Sequence, residues 1–274
     1  MRLSTVRLGQ DRTAAVRLQK KHCVLLPYPD VGALIASGDD WWERAGADTG
    51  ERLGLDDVSY APVLVRPGKM VAVGPNHAVR VRELGCAIPA APEFSVRNGG
   101  HAVVGADDDI RVPAERRDVY WGVELGVVIG RRAREVTARA ALGHVAGYTV
   151  VNDVAVRNGP EGTPPAAVAT AVGPALVTTD DAPIGARGLT MHCFVDGRVR
   201  QKASTSELLF DVATLIAHVS RAVTLPGDLI RTGTPTGTGT GHEREMPPRS
   251  TTQVISVIRG IGELRNAVMR PGSQ

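Results

Sequence analysis

Apolar residues crowd one short stretch of the chain. In YWGVELGVVIGR, residues 120–131, Val123, Leu125, Val127, Val128 and Ile129 form a run closed by Gly130 and Arg131, the pattern of a buried strand. Glu124 stands inside that run. A carboxylate is costly there unless it is paired or holds a metal. Before it, residues 1–65 alternate strand-like pieces, TAAVRLQ and HCVLLPY, with a polar, helix-like segment around ALIASGDDWWERAGA. APVLVRPGKMVAVGPNH reads as strand broken by Pro and Gly, and residues 78–84 allow one or two helical turns. VTARAALGHV predicts a helix. So does STSELLFDVATLIAHVSRAVTL, where Leu208, Leu209, Val212, Leu215, Ile216 and Val219 fall at helical spacing and Ser204 or Ser206 offers an N-cap. TTQVISVIRGIGELRNAVM closes as strand, turn, strand. The mixture predicts a β-rich α+β fold without the βαβ rhythm of a parallel sheet.

Composition narrows the class. With 274 residues, 43% hydrophobic and 22% charged, the chain is long enough for a sizeable core. The net charge of +3 and the lack of any Lys/Arg run give no nucleic-acid patch. Cys23, Cys86 and Cys193 are far apart and form no CxxC, which suggests a reducing, cytoplasmic setting. MRLSTVRLGQDR lacks an apolar signal core, and no stretch approaches the roughly 20 apolar residues of a membrane span.

Three pieces occur in order: VELGVVIG, HVAGYTVVNDVAVR and PGDLIRTGTPTGTG. Together with VRPGKMVAVGPNHAVRVRELG, DGRVRQ and GIGELRNAV, they resemble the fumarylacetoacetate hydrolase family from about residue 60 to 268. The resemblance implies a mixed β-sandwich roll, with a smaller N-terminal part over 1–65 and a catalytic-type domain over 66–270, and a homodimer. It also implies a site where carboxylates hold Mg²⁺, Mn²⁺ or Ca²⁺ and an enolate is stabilised.

Against the family pattern of Glu-x-Glu followed by Asp, Glu124 matches the second Glu and Asp153 the Asp. The first Glu position is Gly122, and Asp118 lies about 13 Å away along an extended strand, a poor substitute. In NHAVRVRE, Asn76 and Glu83 are kept, but His77 stands where the family has Tyr and Arg80 where it has His. Arg97 replaces a Lys, and the loop NGPEGTPPAAVATAVGP has neither lysine nor aromatic residue, suggesting a larger, more apolar pocket. The expected catalytic set is Glu124, Asp153, Glu83 and Arg80. The expected substrate-binding set is Gly122, His77, Arg97, Arg157, Gln201, Gly233 and Thr234. Glu124 and Asp153 then remain as the remnant of a metal triad, and the expectation is no cofactor, with Mg or Mn as the alternative. The arginines either carry positive charge where a metal would sit or lie in solvent.

Three functions stay open. One is metal-independent cyclisation, isomerisation or rearrangement of an enolisable 1,3-dicarbonyl or tetronate-like natural-product intermediate, such as a polyketide. Another is divalent-metal-dependent hydrolysis or decarboxylation of 1,3-diketo acids. The third is non-catalytic binding. The expected partner is a large, apolar small molecule with an enolisable head, with no nucleic acid and no membrane. Trp41 and Trp42 are read as packing residues. His22, His144, His192 and Cys86 are read as core or surface.

Overall fold

The computed structural model describes residues 1–9, 12–47, 50–98, 102–113, 119–156, 166–222, 224–237 and 251–270. The apolar run does form a strand, Val123–Ile129, buried along its whole length. It pairs antiparallel with Val145–Val156 on one side and with the short strand Leu229–Arg231 on the other. Leu229–Arg231 runs parallel to Lys69–Val73, which in turn pairs antiparallel with Phe94–Asn98. On the far side of Val145–Val156 comes Ala166–Thr178, and beyond it Arg2–Arg7. Among the described residues these strands belong to a thirteen-stranded sheet. A second, five-stranded sheet is built on Thr190–Val195, Thr251–Ile258 and Gly262–Met269.

Both faces of the central strand are covered, so its apolar residues run on without alternating. Val123, Leu125, Val127 and Ile129 pack with Met191, Cys193 and Leu264 of the second sheet and with Leu215 and Ile216 of the helix Val212–Val219. Val128 faces the other way. It joins Val151, Val172 and Leu229, and with them Leu34, Ile35 and Trp41 from the first 65 residues. Those first residues thus extend the large sheet and roof one of its faces.

Two local expectations need correction. The helix begins at Val212, capped by Asp211, whose carboxylate accepts the Thr214 N–H at 2.9 Å; Ser204 instead caps the short turn Thr205–Glu207. Leu209 keeps helical spacing, but it and Phe210 give their N–H groups to Asn76, which holds them in a bend outside the helix. VTARAALGHV yields only the helical turn Ala138–Ala141 and a tighter turn Leu142–His144 before the next strand. No helix among the described residues is long and apolar enough to cross a membrane.

Candidate active site

Register collects charge on one face of the large sheet. Residues directly opposite share a face, and side chains alternate with period two. Glu124 lies opposite Val151, so Asp153 shares its face, and Asp153 lies opposite Thr170. Arg231 is opposite Gly126, two residues beyond Glu124. Leu229, Met70 and Arg97 continue the face outward. Across neighbouring strands one face therefore carries Arg97, Arg231, Glu124, Asp153 and Thr170.

The central pair meets a cation. Arg231 Nη1 lies 2.6 Å from Asp153 Oδ1, and its Nη2 lies 3.5 Å from Glu124 Oε1. Glu124 Oε2 accepts the Gly233 backbone N–H at 3.1 Å, and the Thr170 hydroxyl donates to Asp153 Oδ1 at 2.7 Å. Glu124 and Arg231 are only 4% and 5% exposed. Burial pushes the Glu124 carboxyl above the usual carboxylate range. Arg231 opposes the shift, Asp153 adds to it, and the Gly233 N–H and Arg97 oppose it. Burial also works against the Arg231 cation, but the charges of Glu124 and Asp153 outweigh it and hold the guanidinium above its ordinary value.

The position before the pair is closed by a hydroxyl. A Cβ at Gly122 would lie 2.3 Å from Thr234 Oγ1 and 2.8 Å from its Cβ. Thr234 is held in place by Gln201, whose Oε1 accepts the Val123 N–H at 2.9 Å. The Gln201 amide nitrogen reaches Thr234 Oγ1 and the carbonyls of Pro235 and Thr236 at 3.1–3.3 Å.

Residues 69–269 match the family described as fumarylacetoacetate (FAA) hydrolase, C-terminal. The chain belongs to the fumarylacetoacetate hydrolase family. It is 36% identical over 222 residues to the mitochondrial oxaloacetate tautomerase of Bos taurus, covering 78% of this chain and 70% of the relative. Among solved structures it resembles the 5-carboxymethyl-2-hydroxymuconate delta-isomerase of Mycobacterium smegmatis, with a TM-score of 0.78 and 29% identity over 98% of this chain and 100% of that one. It also resembles the maleylpyruvate hydrolase of Sphingobium sp. SYK-6 in complex with manganese(II) and pyruvate, with a TM-score of 0.78 and 26% identity over 99% and 100%.

The last of these overturns the expectation that the cofactor is none, because a protein of this fold and family carries Mn(II). Among the described residues of this chain no group of three His, Cys, Asp or Glu side chains is placed to hold a metal. The donor set still suits a divalent ion in kind. Glu124 and Asp153 are hard oxygen donors, and their oxygens converge on a positive charge, the Arg231 guanidinium.

The other family-derived positions are dispersed around this centre. Arg80 pairs with Glu83 at 2.5 Å on the helix Ala78–Leu84. That helix is tied to the site through Asn76, whose amide donates to the Thr232 carbonyl at 2.9 Å. His77 is buried, and neither ring nitrogen has a partner in hydrogen-bond geometry. Burial pushes its imidazole below the ordinary value, with Glu207 and the Gly233 backbone pulling the other way. Gly233 has a φ of +96°, and a Cβ there would lie 3.1 Å from that of Asn76, so glycine lets the backbone N–H reach Glu124. Arg157 and the first half of the loop behind the larger-pocket expectation, up to residue 165, lie outside the described residues, and its second half is not loop but the start of the strand Ala166–Thr178. A 720 Å³ cavity lined by Leu8, Leu26, Tyr28 and Arg44 includes neither Glu124 nor Asp153.

Arg231 was not anticipated from the sequence. The available signal was the one that singled out Glu124, a charge inside an apolar strand (DLIRTG).

Proposed function

We propose that this member of the fumarylacetoacetate hydrolase family is an isomerase that moves a proton on an enolisable dicarbonyl acid. One observation carries the reading: two carboxylates and two arginines share one face of the sheet, and the carboxylates close directly on a guanidinium. An isomerisation through an enolate needs a group that takes and returns a proton and positive charge where the oxygen becomes negative. Glu124 holds or releases that proton. Arg231 and Arg97 attract the enolate oxygen or a carboxylate on the substrate. The Gly233 N–H orients Glu124. Glu124 and Asp153 are the residues that would hold a divalent ion, which when bound polarises the same oxygen. The tautomerase and isomerase relatives support this reaction class. A bulkier substrate, such as a tetronate-like or β-dicarbonyl polyketide that cyclises after enolisation, is the narrower form of the same proposal. Assembly as a homodimer is proposed with it.

The test follows the ultraviolet absorbance of an enol. Oxaloacetate, an acylpyruvate and a tetronate are each added in enol form to the full chain, with and without Mn(II). At least one enol is expected to ketonise or rearrange faster with protein. Glu124→Gln is expected to remove about 10²-fold or more of that acceleration, the usual scale of a lost proton-transfer group. No acceleration of any of the three, or a Glu124→Gln rate equal to the parent, overturns the proposal.

A further inference from the structure

The Glu124–Asp153 pair already holds a cation of its own, and the way it does so bears on metal binding. Arg231 is seated on a strand hydrogen-bonded on both sides, opposite Gly126 on one neighbour and Ala72 on the other. Its backbone is therefore fixed, and only its side chain can rotate. The guanidinium is gripped unevenly. It lies 2.6 Å from Asp153 Oδ1 but only 3.5 Å from Glu124 Oε1, at the outer limit of a hydrogen bond. Its buried Nε has no partner among the described residues, and Thr170 shares the Asp153 oxygen that Nη1 uses. Nη1 also reaches the Thr170 hydroxyl, again at only 3.5 Å. A buried cation with one good contact, two loose ones and one unpartnered donor is not held as tightly as a fully satisfied one.

We infer that Arg231 competes with a divalent ion for the Glu124–Asp153 carboxylates, so that a metal binds only as the guanidinium withdraws. Two positive groups cannot share these two carboxylates at contact distance in a buried site without strong repulsion. Among the described residues no third carboxylate is at hand to offset the added charge, since Gly122 stands before the pair and Thr234 fills the space beside it. Removing the guanidinium leaves a buried and a part-buried carboxylate without the cation they both contact, an arrangement that favours a hard divalent ion. Arg231 therefore sets the metal affinity of the site, and its withdrawal frees a guanidinium for an anionic group on the substrate. The inference rests on the reading that Glu124 and Asp153 head the site. Metal binding is measured without any substrate, so a failure here and a failure of the proposed isomerisation are told apart.

The experiment titrates Mn(II) into the chelator-stripped chain, counting free Mn(II) by electron paramagnetic resonance and binding heat by calorimetry. The parent is compared with Arg231→Leu, Arg231→Gln and Arg231→Lys. The first two are expected to bind Mn(II) at least about tenfold more tightly than the parent, and Arg231→Lys, which keeps the charge, to stay near it. Adding Glu124→Gln to Arg231→Leu is expected to abolish the gain, which locates the ion. Equal or weaker binding by a folded Arg231→Leu overturns the inference. If the neutral variants fail to fold, a crystal of the parent soaked in Mn(II) decides. An ion on both carboxylates with Arg231 turned away from Asp153, or a pair that takes up no ion while Arg231 stays in place, supports competition. An ion on both carboxylates with Nη1 still in contact with Asp153 refutes it.

Discussion

At the scale of single residues, the site is a set of buried polar groups that are incompletely satisfied. Most buried polar atoms have partners, yet both nitrogens of His77 and Arg231 Nε have none among the described residues. His77 gives the clearest measurable consequence. Its folded value lies below the ordinary 6.5 because burial disfavours the imidazolium, while Glu207 and the Gly233 backbone only partly offset this. The unfolded chain therefore takes up a proton near pH 6.5 while the native chain does not. Stability falls as pH drops through that point and levels only below the native value. His77→Phe, which keeps a buried ring without the titration, is expected to lose less stability between pH 7 and pH 5 than the parent. Urea midpoints at the two pH values measure this. Parallel losses in parent and variant would show that His77 does not contribute.

At the scale of elements, the site depends on how closely the loop after Leu229–Arg231 approaches the start of Val123–Ile129. Gln201 ties the two together, and Gly122 leaves room for Thr234. Gly122→Ala is expected to destabilise by about 1–3 kcal/mol, the usual cost of overpacking. Thr234→Ala in the same chain is expected to restore part of that loss, with the coupling read from chemical denaturation of the four proteins of the cycle. Additive losses would mean that the two positions do not press on one another. The same scale shows what was legible in the sequence. The strand Val123–Ile129 was readable because its apolar run is local, and the ordered motifs carried the fold. The start of the long helix was misplaced because Leu208 and Leu209 fit its spacing, while the contact that keeps the segment out of the helix comes from Asn76, 134 residues from Phe210. Arg231 was missed for a similar reason. Its meaning lies in Glu124, 107 residues away, and no local pattern records such a pairing.

At the scale of the whole molecule, two of the three thiols lie inside the packed layers and one lies outside. Cys193 belongs to the larger core cluster, where burial pushes its thiol up to about 12. Cys23 is also buried, its thiol raised first by burial, and Cys86 is exposed just after the helix Ala78–Leu84. A chromogenic disulfide reagent is expected to titrate one thiol quickly and the other two only as fast as the protein unfolds. Rapid reaction of two or three thiols in native buffer would show that the layers open independently. The pairing of Arg2–Arg7 with Ala166–Thr178 also bears on how the protein is made. Leu3 meets Leu176, a partner 173 residues further along (176 − 3). At ribosomal rates of about 5–20 residues per second, that stretch takes roughly ten to thirty-five seconds to synthesise. During that interval the first strand pairs on one side with its local partner Thr13–Leu18, while its other edge waits for Ala166–Thr178. Until about two thirds of the chain has been made, that open edge can pair with a strand of another chain, so the order of synthesis leaves one sheet edge exposed to mispairing.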